Sequence, residues 1–282
     1  MLTGKKTSDV KYATNIPQNK TKQISGTAEW AKHNSAFITG CEHDCLYCYS
    51  KSMAIRFKRR TIDNWKEEVI REKDFNKNQK RLDGRIFFPS SHDISPRNLD
   101  YSITYLKKLL QSGNEVLVVS KPHLECIQKI CSETVDYKNQ ILFRFTIGST
   151  DSNILKFWEP GAPDFSERLA SLKYAFNNGF ATSISCEPML DNNIEELVEQ
   201  IIPFVTDAIW IGKVNRLNSC LAMNTLKNPI ITKASKNLIE LSNDSRIKQI
   251  YAKYENNPKI KWKESIKKIM GIPLLTKKGL DV

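Results

Sequence analysis

Six apolar runs of strand length alternate with helical patterns along this chain, and that alternation restricts the fold more than any other feature. The runs are 35–39, 85–88, 115–119, 140–147, 181–186 and 208–211. Between them, residues 99–111 place Ile103, Leu106, Leu109 and Leu110 on one face and stop at Gly113. A second helix is expected from an Asp164 cap to Gly179, with Glu167 three residues after the cap and a stripe of Leu169, Leu172 and Phe176. A third follows an Asp191 cap through Ile194, Leu197, Val198 and Ile201. Strand, helix and strand repeated with right-handed crossovers make a parallel sheet, here a partial barrel of six units or an open doubly wound sheet. Residues 1–24 are polar and read as an amino-terminal extension; 25–230 hold the α/β units. Residues 231–282, with Trp262, Ile266 and Ile269 among many lysines, read as a basic helical appendage.

A length of 282 residues admits one α/β barrel with short extensions. Hydrophobic content of 40% and charged content of 26% exclude a wholly disordered chain. No run approaches the roughly 18 apolar residues of a spanning helix, and the start lacks the apolar core of a signal peptide, so a cytoplasmic protein without a membrane partner is expected. The net charge of +12 is uneven: residues 1–80 carry 16 basic and 9 acidic side chains, 81–226 carry 14 and 17, and 227–282 carry 13 and 5. Two basic ends around a neutral middle would attract a polyanion such as DNA or RNA; the other reading is a lysine-rich solvated surface.

Seven cysteines without a secretory signal argue against a disulfide framework. Three of them form C-x3-C-x2-C at Cys41, Cys45 and Cys48, on the loop that follows the first strand run. That is the carboxyl end of a strand, where barrels place their chemistry. Three thiolates can hold three irons of a four-iron cluster with the fourth iron open, or zinc with His43 as a further ligand. His43 stands two residues from both Cys41 and Cys45, whereas a tetrahedral zinc site usually joins separated ligand pairs. Cys126, Cys131, Cys186 and Cys220 are scattered and read as buried or inert thiols.

With Tyr47 before its last cysteine, the motif resembles the hallmark of the radical S-adenosylmethionine superfamily. The longer run from Thr39 to Tyr49, with Glu159-Pro160-Gly161-Ala162-Pro163, Glu167-Arg168-Leu169 and Glu187-Pro188-Met189-Leu190, is similar to its spore photoproduct lyase-like branch, also described as DNA repair photolyase-like. The resemblance implies a partial (β/α)6 TIM-type barrel over about residues 25–215. It implies a [4Fe-4S] cluster on the three cysteines, S-adenosyl-L-methionine (SAM) as cofactor, and reductive cleavage to a 5′-deoxyadenosyl radical. A reductant protein such as a flavodoxin or ferredoxin would be a partner. A different class remains open, a zinc- or cluster-stabilised nucleic-acid-binding module without catalysis.

Under the resemblance, the cofactor would be held by Tyr47 and by groups after the later strands. Ser91 and Asp93 stand where many members bind the methionine amino group, although Gly-Gly-Glu is not there. Lys121 matches a lysine that meets the methionine carboxylate. Ser149 and Asp151 are candidates for the ribose, or else cap the chain as it leaves its strand. Strand alternation points Arg144 and Thr146 into the barrel, and places Glu187 at the site with Ser183 and Ser185 on its face. Glu187 and Arg144 are therefore the catalytic candidates, or a buried ion pair with each other. Spore photoproduct lyase uses a hydrogen-donating cysteine at the position matched here by Ser90, whose O–H is too strong for that role, so the lyase reaction does not follow from the resemblance.

Overall fold

The computed structural model describes residues 23–280. Its strands are β1 (His33–Asn34), β2 (Ile38–Thr39), β3 (Val69–Ile70), β4 (Ile86–Phe88), β5 (Val116–Ser120), β6 (Ile141–Thr146), β7 (Ala181–Cys186), β8 (Ile209–Ile211) and β9 (Ile260–Trp262). The helices are α1 (Tyr49–Arg56), α2 (Glu72–Phe75), α3 (Leu99–Gln111), α4 (Leu124–Glu133), α5 (Ser152–Trp158), α6 (Phe165–Asn177), α7 (Ile194–Ile201), α8 (Leu217–Asn224), α9 (Pro229–Leu241), α10 (Asp244–Tyr254) and α11 (Glu264–Met270). Seven strands form one sheet in the order β1-β4-β5-β6-β7-β8-β9, every pair parallel.

Alternation sorts the side chains as the sequence requires. Phe143, Phe145, Ile184 and Cys186 pack outward against the helices in the main core. Leu142 faces inward with Trp30, Phe87, Leu117, Ala208 and Trp210, which fill the barrel floor. Asp164 caps α6, its carboxylate accepting the Glu167 N–H at 2.9 Å. Glu167 does not close a capping box; it accepts the Leu124 N–H at 3.0 Å and so ties α6 to α4. Asp191 accepts the Asn193 N–H at 2.7 Å, one turn position ahead of α7.

Two elements differ from the sequence reading. The place expected for 35–39 in the sheet belongs to His33–Asn34, and Ile38–Thr39 pairs antiparallel with Val69–Ile70 instead. The chain turns away where Ser35 binds both Phe87 and Ser90 through its backbone, at 2.9 Å each, so Phe37 and Ile38 are buried by packing rather than by sheet pairing. The carboxyl-terminal segment, read as a helical appendage, also supplies β9, the seventh strand. Its Trp262 packs against Tyr251, the rings tilted by 40° with centroids 5.1 Å apart, so the aromatic anchors the segment.

The open side of the barrel, between β1 and β9, is closed by the two chain ends. Ile24 N–H donates to Leu275 O at 2.8 Å and Gly279 N–H to Ala28 O at 2.9 Å. Lys263, immediately after β9, donates to Gly26 O at 2.9 Å and pairs with Glu29; both charges are buried. Its ammonium lies 4.2 Å from the Trp30 ring, a cation over the aromatic floor.

Candidate active site

The cysteine loop is held from several directions. Cys41 N–H donates to Trp65 O at 3.0 Å, and Leu46 N–H to Trp158 O at 2.9 Å. Asn224 donates to Leu46 O at 2.9 Å and Cys48 O at 2.8 Å. Asp44 takes a left-handed conformation, φ 48°, and pairs with Lys51 at 2.6 Å. Two glycines permit the backbone to approach: a Cβ on Gly161 would stand 2.2 Å from Glu42 O, and one on Gly40 2.4 Å from Glu67 O. Cys48 caps α1, its sulfur accepting the Lys51 N–H at 3.3 Å, which places that sulfur at the positive end of a helix.

Cys41, Cys45 and Cys48 line one cavity of about 340 Å³ at the carboxyl ends of the strands, together with Tyr47, Ser90, Ser91, His92, Asp93, Lys121 and Glu187. Burial raises the pKa of all three thiols. The donor set suits iron and sulfide: three soft sulfurs on one short loop. His43 is turned elsewhere, with Nδ1 3.1 Å from Asp93 and Nε2 2.9 Å from His123. Among the described residues no three His, Cys, Asp or Glu side chains converge on one metal ion.

The polar wall comes from the ends of β4 and β5. Burial works to raise the Asp93 pKa, but His43, Lys121 and Ser120 outweigh it and keep the carboxylate ionised. Asp93 accepts from Ser120 Oγ and, at 2.9 Å, from Lys121 N–H. Lys121 Nζ lies 3.7 Å from Asp93 and 5.9 Å from the Tyr47 ring centre. Burial opposes its charge, but Cys45, Glu159 and Asp93 hold its pKa above the ordinary lysine value. Ser91 donates to Ile38 O at 3.2 Å and shares this wall.

Sequence reasoning passed over three residues. Glu159 and Arg168 form a fully buried ion pair at 2.5 Å, and Glu159 accepts a hydrogen bond from the Tyr47 hydroxyl. The pair fixes Tyr47 within the cysteine loop; the sequence signals were the stretches Glu159-Pro160-Gly161 and Glu167-Arg168-Leu169. His92 is buried at the cavity with neither ring nitrogen hydrogen-bonded, and burial lowers its pKa to about 3, so it is a neutral imidazole.

Several expectations are corrected. Glu187 does not pair with Arg144: its carboxylate accepts from Asn215 at 3.0 Å and faces Lys263 at 3.4 Å, and burial raises its pKa. Arg144 points into the barrel but lies in the floor between Trp30 and Trp210, bonded to Ser183 at 2.9 Å and Asp207 at 3.0 Å. It is not among the cavity-lining residues. Ser149 and Asp151 are also outside that lining. Ser149 binds Asp191, and Asp151 caps α5. In the basic carboxyl-terminal segment Lys263 and Lys267 are buried and Lys259 donates to Val205 O at 2.7 Å, whereas Lys268 is exposed. Near the cysteine loop, Lys51 is buried and Arg60 donates to Thr39 O at 3.3 Å, which leaves Arg56, Lys58 and Arg59 exposed.

Fold and site together define a parallel α/β partial barrel with a thiol-lined cavity at the strand ends. The chain belongs to the Radical SAM superfamily, whose description matches residues 35–202. It is 26% identical over 206 residues to an uncharacterized protein of Methanocaldococcus jannaschii, covering 69% of this chain and 73% of that one. An uncharacterized protein of Acidianus two-tailed virus is 26% identical over 196 residues, 61% of this chain and 62% of the viral protein. Among solved structures, spore photoproduct lyase complexed with dinucleoside spore photoproduct superposes with a TM-score of 0.53 at 14% identity, over 87% of this chain and 79% of the lyase. That likeness is one of fold. No helix among the described residues is long and apolar enough to cross a membrane.

Proposed function

We propose that Cys41, Cys45 and Cys48 hold a [4Fe-4S] cluster, that SAM occupies the adjoining cavity, and that the enzyme modifies a nucleic acid or nucleotide. The carrying observation is the opening of all three cysteines, Asp93 and Lys121 into one cavity. When bound, the cluster and SAM supply a one-electron cleavage that yields methionine and a 5′-deoxyadenosyl radical. The chain binds and orients: Lys121 meets the methionine carboxylate, Asp93 and Ser91 face the methionine amino group, and the apolar walls from Trp30 and Phe87 exclude water. Tyr47, locked by Glu159, packs beside the cluster. A reductant of the flavodoxin or ferredoxin type delivers the electron. An anaerobically purified protein that is brown and bleaches with dithionite supports this reading; a colourless protein holding zinc overturns it in favour of a structural metal module.

Glu187 is the substrate-facing carboxylate in this reading. Glu187→Gln should keep iron content while lowering SAM cleavage by about tenfold or more, measured as 5′-deoxyadenosine released per folded, iron-loaded chain, since Glu187 also faces Lys263. Unchanged cleavage removes Glu187 from the site.

The nucleic-acid part rests on the surface beside the cysteine loop. Phe57 is 60% exposed with Arg56 and Arg59 about its ring at 5.9 and 6.0 Å, and Tyr49, 52% exposed with Arg216 over it at 5.6 Å, reaches the cavity. Exposed aromatics with arginines suit bases and phosphates. With roughly three phosphates engaged, the log–log slope of affinity for single-stranded DNA against salt should be about −2. A titration without binding at low salt shifts the substrate to a free small molecule or a protein.

A further inference from the structure

Trp65 forms part of the wall between the thiol-lined cavity and a smaller adjoining one of about 240 Å³. It is 2% exposed and packs with Cys41 and Ala54, with Cys48 against them. Its backbone is fixed to the cysteine loop through the bond from Cys41 N–H. Its indole Nε1–H is buried and has no hydrogen-bond acceptor. Leaving such a donor unpaired costs about 1–3 kcal/mol. Trp30 and Trp210 also carry unpaired indole N–H groups, but each serves as an aromatic face for a buried cation: Lys263 at 4.2 Å from Trp30, and Arg144 at 5.4 Å from Trp210. No cation or ring stacks on Trp65 among the described residues, and its neighbours are two of the three candidate cluster ligands.

We propose that Trp65 is a positioning residue for the cluster: its indole N–H, which no cysteine sulfur accepts, donates a hydrogen bond to a sulfide of the cluster and thereby raises the reduction potential. The inference rests on the cluster reading above. Cluster sulfur gains negative charge on reduction, so a fixed donor stabilises the reduced state more than the oxidised one. Cys48 sulfur already accepts one backbone donor, Lys51 N–H. Trp65 would add a side-chain donor, one that can be removed without touching the backbone.

Trp65→Phe keeps an aromatic ring in the wall while deleting the donor together with part of the indole. After anaerobic reconstitution, the variant should hold wild-type iron, and its ratio of reduced to oxidised cluster at a fixed potential near the wild-type midpoint should fall about tenfold, which is a midpoint 59 mV more negative for a one-electron couple. An unchanged midpoint with full iron overturns the proposal. Should the variant fail to fold or to take up iron, the wild-type protein still decides: nitrogen ENDOR on its reduced cluster, compared between protein grown with natural-abundance tryptophan and with indole-15N tryptophan, should show a labelled indole nitrogen coupled to the cluster, distinct from the Lys51 backbone amide at Cys48. Its absence overturns the proposal. A wild-type chain that assembles no cluster overturns the cluster reading itself, a result distinct from a cluster of unaltered potential.

Discussion

Cys41→Ala, Cys45→Ala and Cys48→Ala should each drop bound iron from about four atoms per chain to nearly none after reconstitution, because each thiolate holds its own iron and no spare thiol stands beside it. Cys220 donates to Ser52 Oγ at 3.8 Å and does not line the cavity. Cys126 is buried between α4 and its neighbours in the main core. Cys126→Ala and Cys220→Ala should therefore keep full iron. Iron and sulfide analysis with the visible spectrum checks both sets, and normal iron in any of the first three variants contradicts the ligand assignment.

The second large effect is on stability. Lys263→Met should cost about 3–5 kcal/mol, the usual result of removing one partner of a buried charge pair. Lys263 is fully buried; its ammonium faces Glu29, Glu187 and Glu264, and Glu29 is only 1% exposed. Burial already raises the Glu29 pKa to about 7, against the pull of Lys263. Without the lysine that pKa rises further, so Glu29 takes a proton in mildly acid solution and the neutral form is tolerated. The loss should consequently be smaller at pH 5 than at pH 8, because a carboxyl with a raised folded pKa loses stability as pH rises above its unfolded value. Glu29→Gln added to Lys263→Met should recover part of the loss. Urea unfolding at the two pH values checks this; an equal or smaller loss at pH 8 would mean that the chain ends close the barrel by packing alone.

What the sequence disclosed follows from the range of the interactions. The cysteine spacing, the alternation that turns Arg144 inward and Cys186 outward, and the Asp164 cap are local, and the structure contains all of them. The Arg144–Glu187 pairing fails on height rather than on face. Arg144 is registered opposite Ser183, and Glu187 lies four residues further along the chain, just past the end of β7, roughly 13 Å at about 3.3 Å per residue. Ser149 and Asp151 carry polar groups at a strand end, but the nearest orphan backbone and carboxyl groups claim them first. Strand β9 is only three residues with a lysine in the middle, so no periodicity announces it. The clasp of Lys263 on Glu29 joins residues 234 positions apart and leaves no trace in either segment alone. His92 and Trp65 became visible only through what surrounds them: a histidine and a tryptophan are ordinary core residues until their polar atoms are found buried and unpaired.

The most direct measurement is 5′-deoxyadenosine formation by the anaerobically reconstituted full chain given SAM and dithionite. The assignment of a SAM-cleaving cavity at the cysteine loop predicts 5′-deoxyadenosine and methionine in equal amounts, lost in Cys45→Ala. A protein with a full iron complement that releases neither product, whatever the reductant, contradicts it.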